Sequence, residues 1–117
     1  FRMNSFDLVS ALNIIDSVTV PLILLGQMDA LVRSKGRLII GSPYTWKSSI
    51  TNSAEWLETQ ALDATQTVRE ILEGKIHIEC GFEYKIEKEI KNLCWSLKNS
   101  DSYHSVFLVN LLKAMKK

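Results

Sequence analysis

The sequence predicts an α/β domain with the element order strand, helix, strand, helix, strand, strand (β-α-β-α-β-β), and three observations support this prediction. Two apolar runs of strand length, Phe6–Leu12 and Arg37–Ser42, lie on either side of a segment with helical periodicity. A second segment with an amphipathic helical pattern follows at 63–73. The last third holds two more strand patterns with no helix between them, so we expect the last strand to be antiparallel to its predecessor.

The composition is that of an ordinary globular chain and excludes several classes of protein. Of the 117 residues, 46% are hydrophobic and 23% are charged, which fits a single domain with a modest core. The net charge of +1 gives no strong electrostatic field, so we expect no nucleic-acid partner. The longest apolar run, Val18–Leu25, is too short to span a bilayer, so we expect no membrane partner.

The two cysteines, Cys80 and Cys94, are too few for a disulfide framework and lack the spacing of metal ligands. We therefore expect reduced thiols in a cytoplasmic protein and no metal site. The chain opens on Phe1 rather than on an initiator methionine, from which we expect either a fragment of a longer protein or a gene model that starts late.

The first strand, the first helix and the second strand are predicted to form a parallel crossover unit. The strand Phe6–Leu12 is apolar on both faces, as buried parallel strands are. Thr19 is expected to cap a helix that starts at Pro21, because proline is favoured at the first helical position. The segment Arg33–Gly36 is expected to end that helix, with Gly36 in the left-handed conformation.

The second helix has clear signals at both ends. Asp63 and Gln66 have the spacing of a capping box at its start, and Gly74 is expected to end it. Before this helix, the stretch 43–61 is irregular and rich in serine, threonine and aromatic residues.

The last third is predicted to hold two strands joined by an irregular segment. From Phe82 to Ile86, apolar and charged residues alternate with a period of two, which indicates a half-exposed strand. The polar segment 88–101 is expected to be irregular, and Ser105–Leu112 is expected to be the final strand.

The order of these elements resembles the C-terminal half of a class I S-adenosylmethionine-dependent methyltransferase domain, a Rossmann-like fold. Phe6–Asp16 (FDLVSALNIID) is similar to the fourth strand of that fold and its following loop, and Ser34–Ser42 (SKGRLIIGS) to the turn into its fifth strand. The resemblance implies a sheet that is parallel except for the last strand, which inserts antiparallel beside its predecessor. It also implies that residues 1–117 form a partial domain without the N-terminal half that binds the cofactor.

A narrower resemblance rests on Ser42–Trp46 (SPYTW) and the later Glu55-Trp56-Leu57. These segments, followed in matching order by the helix Asp63–Glu73, the Phe82-Glu83 strand and Trp95-Ser96, resemble the mercaptohistidine N-methyltransferase domain of ovothiol biosynthesis enzymes. The resemblance implies a small-molecule acceptor, a 5-thiohistidine, that is methylated on a ring nitrogen with S-adenosylmethionine as the cofactor.

Two polar residues follow the first strand at the place where parallel sheets bind ligands. In the resembling fold, Asn13 would face the methionine end of the cofactor and the acceptor, which makes it a candidate catalytic and cofactor-binding residue. Asp16 is a second cofactor-binding candidate. The alternatives are that Asn13 merely ends a strand and that Asp16 caps the following helix.

Three aromatic residues follow the second strand and are candidates for the acceptor side. Tyr44, Trp46 and Trp56 are expected to bind the substrate by stacking on an imidazole or enclosing a sulfonium, with Tyr44 also a catalytic candidate. The alternative is that they anchor a long loop to the core. Neither His77 nor His104 has a partner motif, so both are expected to be structural or solvated.

Two consequences and two rival functions follow. Without the upstream half, we expect the isolated chain to be inactive and to bind S-adenosylmethionine weakly. The strand Phe6–Leu12 would then be a bare apolar edge, through which we expect a homo-oligomer to form. One rival is a non-catalytic methyltransferase-like remnant that serves as an assembly module, and the other is a methyltransferase with an unrelated small-molecule acceptor.

Overall fold

The computed structural model describes residues 2–59, 61–76 and 81–117. This part of the chain contains four strands and two helices, with short 3-10 turns at Ile15–Ser17 and Ser53–Glu55. The elements are β1 (Phe6–Leu12), α1 (Pro21–Leu31), β2 (Val32–Ser42), α2 (Ala64–Leu72), β3 (Tyr84–Ser100) and β4 (Tyr103–Lys116). The predicted α/β class and element order are confirmed. Neither α1 nor α2 has the length and apolar content that a membrane-spanning helix needs.

The strands form one mixed sheet with the spatial order β1-β2-β4-β3. The strands β1 and β2 are parallel, whereas β4 runs antiparallel to both β2 and β3. The predicted antiparallel pairing of the last two strands is therefore confirmed. Because β4 lies between β2 and β3, the last strand in sequence is an inner strand of the sheet.

Both helices pack on the same face of the sheet, called here the covered face. Strand side chains that point to this face, among them Ala11, Ile40 and Leu112, form one apolar cluster with the buried residues of α1 and α2. Polar contacts fix the two helices in place. The Tyr84 hydroxyl donates to Asp29 Oδ1 of α1 (2.7 Å), and Asn110 Nδ2 donates to Thr65 Oγ1 of α2 (2.8 Å).

No described helix covers the opposite face, called here the open face. Leu8 and Leu12 point to it from β1 and are 54% and 53% exposed. The prediction that Phe6–Leu12 is a strand buried on both faces is therefore wrong, since Ala11 alone in β1 is fully buried. The physical reason is position, because β1 lies at the edge of the sheet and α1 covers it on one side only.

The start of α1 agrees with the prediction, but its end does not. The helix begins at Pro21, but Val20 occupies the capping position without a side-chain hydrogen bond, so the predicted cap by Thr19 is wrong. The helix ends at Leu31, and Val32 enters β2 directly. The end predicted at Arg33–Gly36 is therefore also wrong.

The residues 33–36 instead bulge out of β2. Phe6 pairs with Val32 and Leu8 with Arg37, so four residues of β2 lie between two pairings with β1. Lys35, not Gly36, takes the left-handed conformation, with φ of 67°. Glycine is needed at 36 for space, because a Cβ there would lie 2.9 Å from the carbonyl oxygen of Arg33.

The C-terminal end of α1 is neutralised by a residue far away in sequence. Lys116 Nζ donates to the carbonyl oxygens of Asp29 (2.7 Å) and Val32 (3.2 Å). A cation at this end of a helix compensates its partial negative charge. The contact ties the end of β4 to α1.

The signals at the ends of α2 are confirmed. Asp63 Oδ1 accepts a hydrogen bond from the backbone N–H of Gln66 (2.8 Å). Gly74 follows the helix with φ of 77°, a conformation that glycine adopts without a steric cost.

The β3–β4 hairpin is much longer than predicted. The segment 88–101, expected to be irregular, belongs to β3 as far as Ser100, and β4 starts at Tyr103. Register shifts between Ile86 and Lys88, between Ile90 and Leu93, and between Lys98 and Ser100 explain the error. Each irregularity interrupts the two-residue alternation by which a strand is recognised in sequence.

Candidate functional site

The carboxyl ends of the parallel strands β1 and β2 lie side by side, and a cavity of about 240 Å³ opens there. Its lining comes from the loop after β1, the loop after β2 and the β3–β4 hairpin. The lining residues are Asn13, Asp16, Ser17, Pro43, Thr45, Lys47, Ile50, Trp95 and Phe107. Of the residues that the sequence proposed for the site, the cavity brings together Asn13 and Asp16.

Asn13 lies at the turn where β1 ends. Its backbone has φ of 58°, a left-handed conformation that asparagine tolerates better than most residues, and its N–H donates to the carbonyl oxygen of Gly41 (2.7 Å). The side-chain Oδ1 is buried and has no hydrogen-bond partner among the described residues. Leaving such an acceptor unsatisfied costs about 1–3 kcal/mol, so a ligand that brings a donor to this point gains affinity.

Asp16 joins the two loops that flank the cavity. It is buried, and its Oδ2 accepts from the backbone N–H (2.8 Å) and the hydroxyl (3.0 Å) of Thr45. Its Oδ1 accepts a longer hydrogen bond from the Ser17 hydroxyl (3.4 Å). These bonds show that the Asp16 carboxylate fixes the loop after β2 against the loop after β1.

Tyr44, Trp46 and Trp56 form a row of rings outside the set of residues that line the cavity. The ring centroids of Tyr44 and Trp46 are 6.0 Å apart, and the rings of Trp46 and Trp56 stack at 6.2 Å with an angle of 12°. Tyr44 and Trp46 pack against the core cluster, and Trp56 Nε1 donates to the carbonyl oxygen of Thr51 (2.9 Å). In this structure the row anchors the loop after β2, the alternative already stated for these residues.

Two polar atoms of this row are nevertheless buried without a described partner. They are the Tyr44 hydroxyl and Trp46 Nε1. Burial raises the pKa of Tyr44 far above its ordinary value, and the carboxylates of Asp16 and Asp63 raise it further. Tyr44 therefore stays protonated near neutral pH and can donate a hydrogen bond but cannot serve as a base.

Seven residues of the cavity lining were not among the predicted site residues, and three of them, Lys47, Trp95 and Phe107, bring a positive charge or an aromatic ring. Lys47 lies in the loop after β2. Trp95 and Phe107 face each other across the β3–β4 hairpin with ring centroids 5.2 Å apart. The register of the hairpin brings the two rings to the cavity. The only sequence signal for Trp95 was its place in the Trp-Ser pair that supports the narrower resemblance.

Of the two histidines and the two cysteines, those that the structure describes do not line the cavity. His104 is exposed near the tip of the hairpin, opposite Lys98, and His77 and Cys80 lie outside the described residues. Cys94 is an exposed free thiol. Within the described part of the chain, histidine, cysteine, aspartate and glutamate residues form no group of three that could hold a metal ion.

Two comparisons with known proteins give no match to this sequence. No model of a known protein family matches it, and neither does any curated protein.

Proposed function

We propose that this chain is the acceptor-side part of an S-adenosylmethionine-dependent N-methyltransferase that acts on a thiohistidine-type small molecule. One observation carries the proposal: a cavity at the carboxyl ends of two parallel strands is lined by Asn13, whose buried Oδ1 has no described partner, and by the aromatic rings of Trp95 and Phe107. The insertion of β4 antiparallel beside β3 supports it, since the sequence resemblance implies that arrangement.

The residues of the cavity suit a reaction that needs alignment more than acid–base chemistry. When bound, S-adenosylmethionine would supply a methyl group already activated by the positive charge on sulfur. Asn13 Oδ1 would accept a hydrogen bond from an ammonium or ring N–H and hold that group in one orientation.

The fit of the predicted cofactor-binding residues differs between the two. Asn13 has an acceptor atom that no described residue uses. The Oδ2 atom of Asp16 already accepts two hydrogen bonds from Thr45, so its contribution would be to hold the shape of the cavity. Tyr44, with its raised pKa, would serve as a donor from the adjacent ring cluster.

The proposal is tested on the protein encoded by the whole reading frame around this sequence. We expect that protein to transfer a methyl group from S-adenosylmethionine to a ring nitrogen of 5-thiohistidine, detected by mass spectrometry. We expect Asn13→Ala to lower kcat/KM about 10²-fold, a loss typical of a lost orienting contact. Absence of methyl transfer to 5-thiohistidine and to other small-molecule acceptors would refute the enzymatic proposal, and activity on another acceptor alone would support the second rival function.

The 117-residue chain provides a separate test. We expect it to bind S-adenosylmethionine weakly and to show no turnover, because the described residues include no glycine-rich loop between a strand and a helix that could hold the cofactor. Calorimetric titration with a micromolar dissociation constant would contradict this expectation. A cytoplasmic location, which the free thiol of Cys94 favours, belongs to the same proposal.

A second candidate function is a non-catalytic assembly module, favoured by the open face and edge of β1. Leu8 and Leu12 lie exposed on a strand at the end of the described sheet, and apolar strands in that position tend to associate with another strand. We propose that the chain forms a dimer or larger oligomer through Phe6–Leu12. Sedimentation should show association that rises with concentration, and a clean monomer at high concentration would rule it out.

A further inference from the structure

The β3–β4 hairpin extends well beyond the strand that it flanks. The pairing of β2 with β4 runs from Arg37–Met115 to Ser42–Asn110 and stops there. The residues of β4 before Asn110 pair with β3 alone. This part of the hairpin, residues 93–109, is called here the hairpin extension. It projects past the carboxyl end of β2, which is where the cavity opens.

The hairpin extension contributes two aromatic rings to the cavity. Trp95 and Phe107 are direct cross-strand partners with centroids 5.2 Å apart and an interplanar angle of 32°. Trp95 remains 37% exposed although it lines the cavity. A large ring that is only partly buried still has apolar surface available for a ligand.

A purely structural role for this pair is the simpler alternative. Cross-strand aromatic pairs stabilise hairpins by themselves. However, the aromatic pair is confined to the place where the hairpin extension passes the cavity. The next pair outward on the same face, Leu97 with Ser105, has smaller side chains and does not line the cavity. The loops supply the polar part of the lining, including Asn13 and Lys47.

We propose that Trp95, supported by Phe107, is the specificity-determining wall of the cavity and selects ligands that carry a planar ring. Lys47 in the same lining would attract an anionic substituent on that ring, because no described carboxylate forms an ion pair with its ammonium group. The inference uses the cavity of the proposed function but concerns which ligands it accepts. Stacking on an indole favours an unsaturated ring over a saturated ring of the same size.

The test compares two probes that have the same charge and similar size. Benzoate has a planar ring, and cyclohexanecarboxylate has a puckered one. Each is titrated into the 117-residue chain while the NMR signal of the Trp95 indole N–H is followed. We expect benzoate to bind about fivefold more tightly. Equal binding of the two probes, or no binding of either up to its solubility limit, would overturn the proposal.

Variants of the hairpin extension separate stacking from stability. Trp95→Ala should abolish the preference for benzoate, followed here through backbone amide signals, and Trp95→Phe should keep part of it. Leu97→Ala is the matched control, because it removes an exposed apolar side chain of the same strand outside the cavity and should keep the full preference. A full preference retained in Trp95→Ala would show that the ring pair is only structural.

The outcome does not depend on methyl transfer. If the chain prefers the planar ring and the longer protein transfers no methyl group, the role of Trp95 in ligand selection is supported and the enzymatic proposal is refuted. If the longer protein transfers methyl groups and Trp95→Ala leaves the KM for the acceptor unchanged, the role of Trp95 in ligand selection is refuted and the enzymatic proposal is supported. We expect Trp95→Ala to raise that KM about fivefold with a smaller change in kcat.

Discussion

The covered face and the open face of the sheet differ sharply in how they treat apolar side chains. On the covered face, α1 and α2 bury residues such as Leu25 and Val68 completely within one cluster. On the open face, Leu8 and Leu12 keep more than half of their surface exposed. The covered face therefore supplies most of the stability of the fold, while the open face and the adjacent cavity are available for binding.

The largest effect is expected from a substitution in the covered face. Leu25→Ala removes a fully buried side chain and should lower the free energy of unfolding by about 2–5 kcal/mol. Ile23→Ala on the same helix, where the side chain is 59% exposed, should change it by less than about 0.5 kcal/mol. Urea unfolding measures both values. Equal losses in the two variants would contradict the expectation that burial in the covered-face cluster sets the size of the loss.

A smaller effect is expected where the loops of the cavity meet. Asp16→Ala removes the acceptor of two hydrogen bonds from Thr45 and should cost about 1–2 kcal/mol in unfolding free energy. Asp101→Ala, a fully exposed carboxylate near the hairpin tip, is the control and should leave that free energy unchanged. Urea unfolding measures both variants.

The alkaline side of the stability curve tests the Tyr84 contact between β3 and α1. Burial raises the pKa of Tyr84, and its hydrogen bond to Asp29 raises it further. Folding therefore favours the protonated phenol. The contribution of Tyr84 to the free energy of unfolding is complete below about pH 10, the ordinary tyrosine pKa, and falls as the pH rises above it. Tyr44, with a raised pKa of its own, should contribute a similar fall.

Substitution assigns the part of this fall that belongs to Tyr84. Tyr84→Phe should lower stability at neutral pH by about 1 kcal/mol, because the bond to Asp29 is lost, and should flatten the alkaline fall. Tyr103→Phe, on an exposed side chain, serves as the control and should leave neutral-pH stability unchanged. An alkaline curve identical to that of the original chain in Tyr84→Phe would disprove the assignment.

The smallest change in stability is expected on the open face. Leu8→Lys places a charge on an exposed position of β1 and should alter unfolding free energy by less than about 0.5 kcal/mol. It should nevertheless weaken self-association, since charged residues on edge strands discourage further pairing. Sedimentation measures the association of this variant and of Ile50→Lys, which places the same charge at an exposed apolar position outside β1. If both variants associate less to the same degree, the effect comes from surface charge in general and not from the β1 edge.

The sequence predicted features that depend on local chemistry. Pro21 starts α1, Asp63 caps α2 and Gly74 follows it, because each effect acts within a few residues. The class and order of the elements follow from hydrophobic periodicity, which is also local. Local signals predicted a buried β1, whereas the resemblance predicted an exposed edge at Phe6–Leu12, because exposure depends on the position of the strand in the sheet.

The candidate site divides in the same way. Asn13 and Asp16 line the cavity as expected, because polar residues directly after a parallel strand lie at its carboxyl end. The sequence did not indicate Trp95 and Phe107, since only the register of a hairpin with three irregularities brings them there. Tyr44 and Trp46 are near in sequence but pack against the core, a choice set by the tertiary structure.

The inner position of β4 has a consequence for how the chain folds during synthesis. Among the described strands β4 leaves the ribosome last, yet β2 and β3 meet only through it. Until residues 103–116 emerge, the nascent chain holds the paired strands β1 and β2 and a separate β3 that lacks its partner strand, and such intermediates are prone to aggregate. Translation speed and chaperone contact in this last interval should therefore affect the yield of folded protein more than events earlier in the chain.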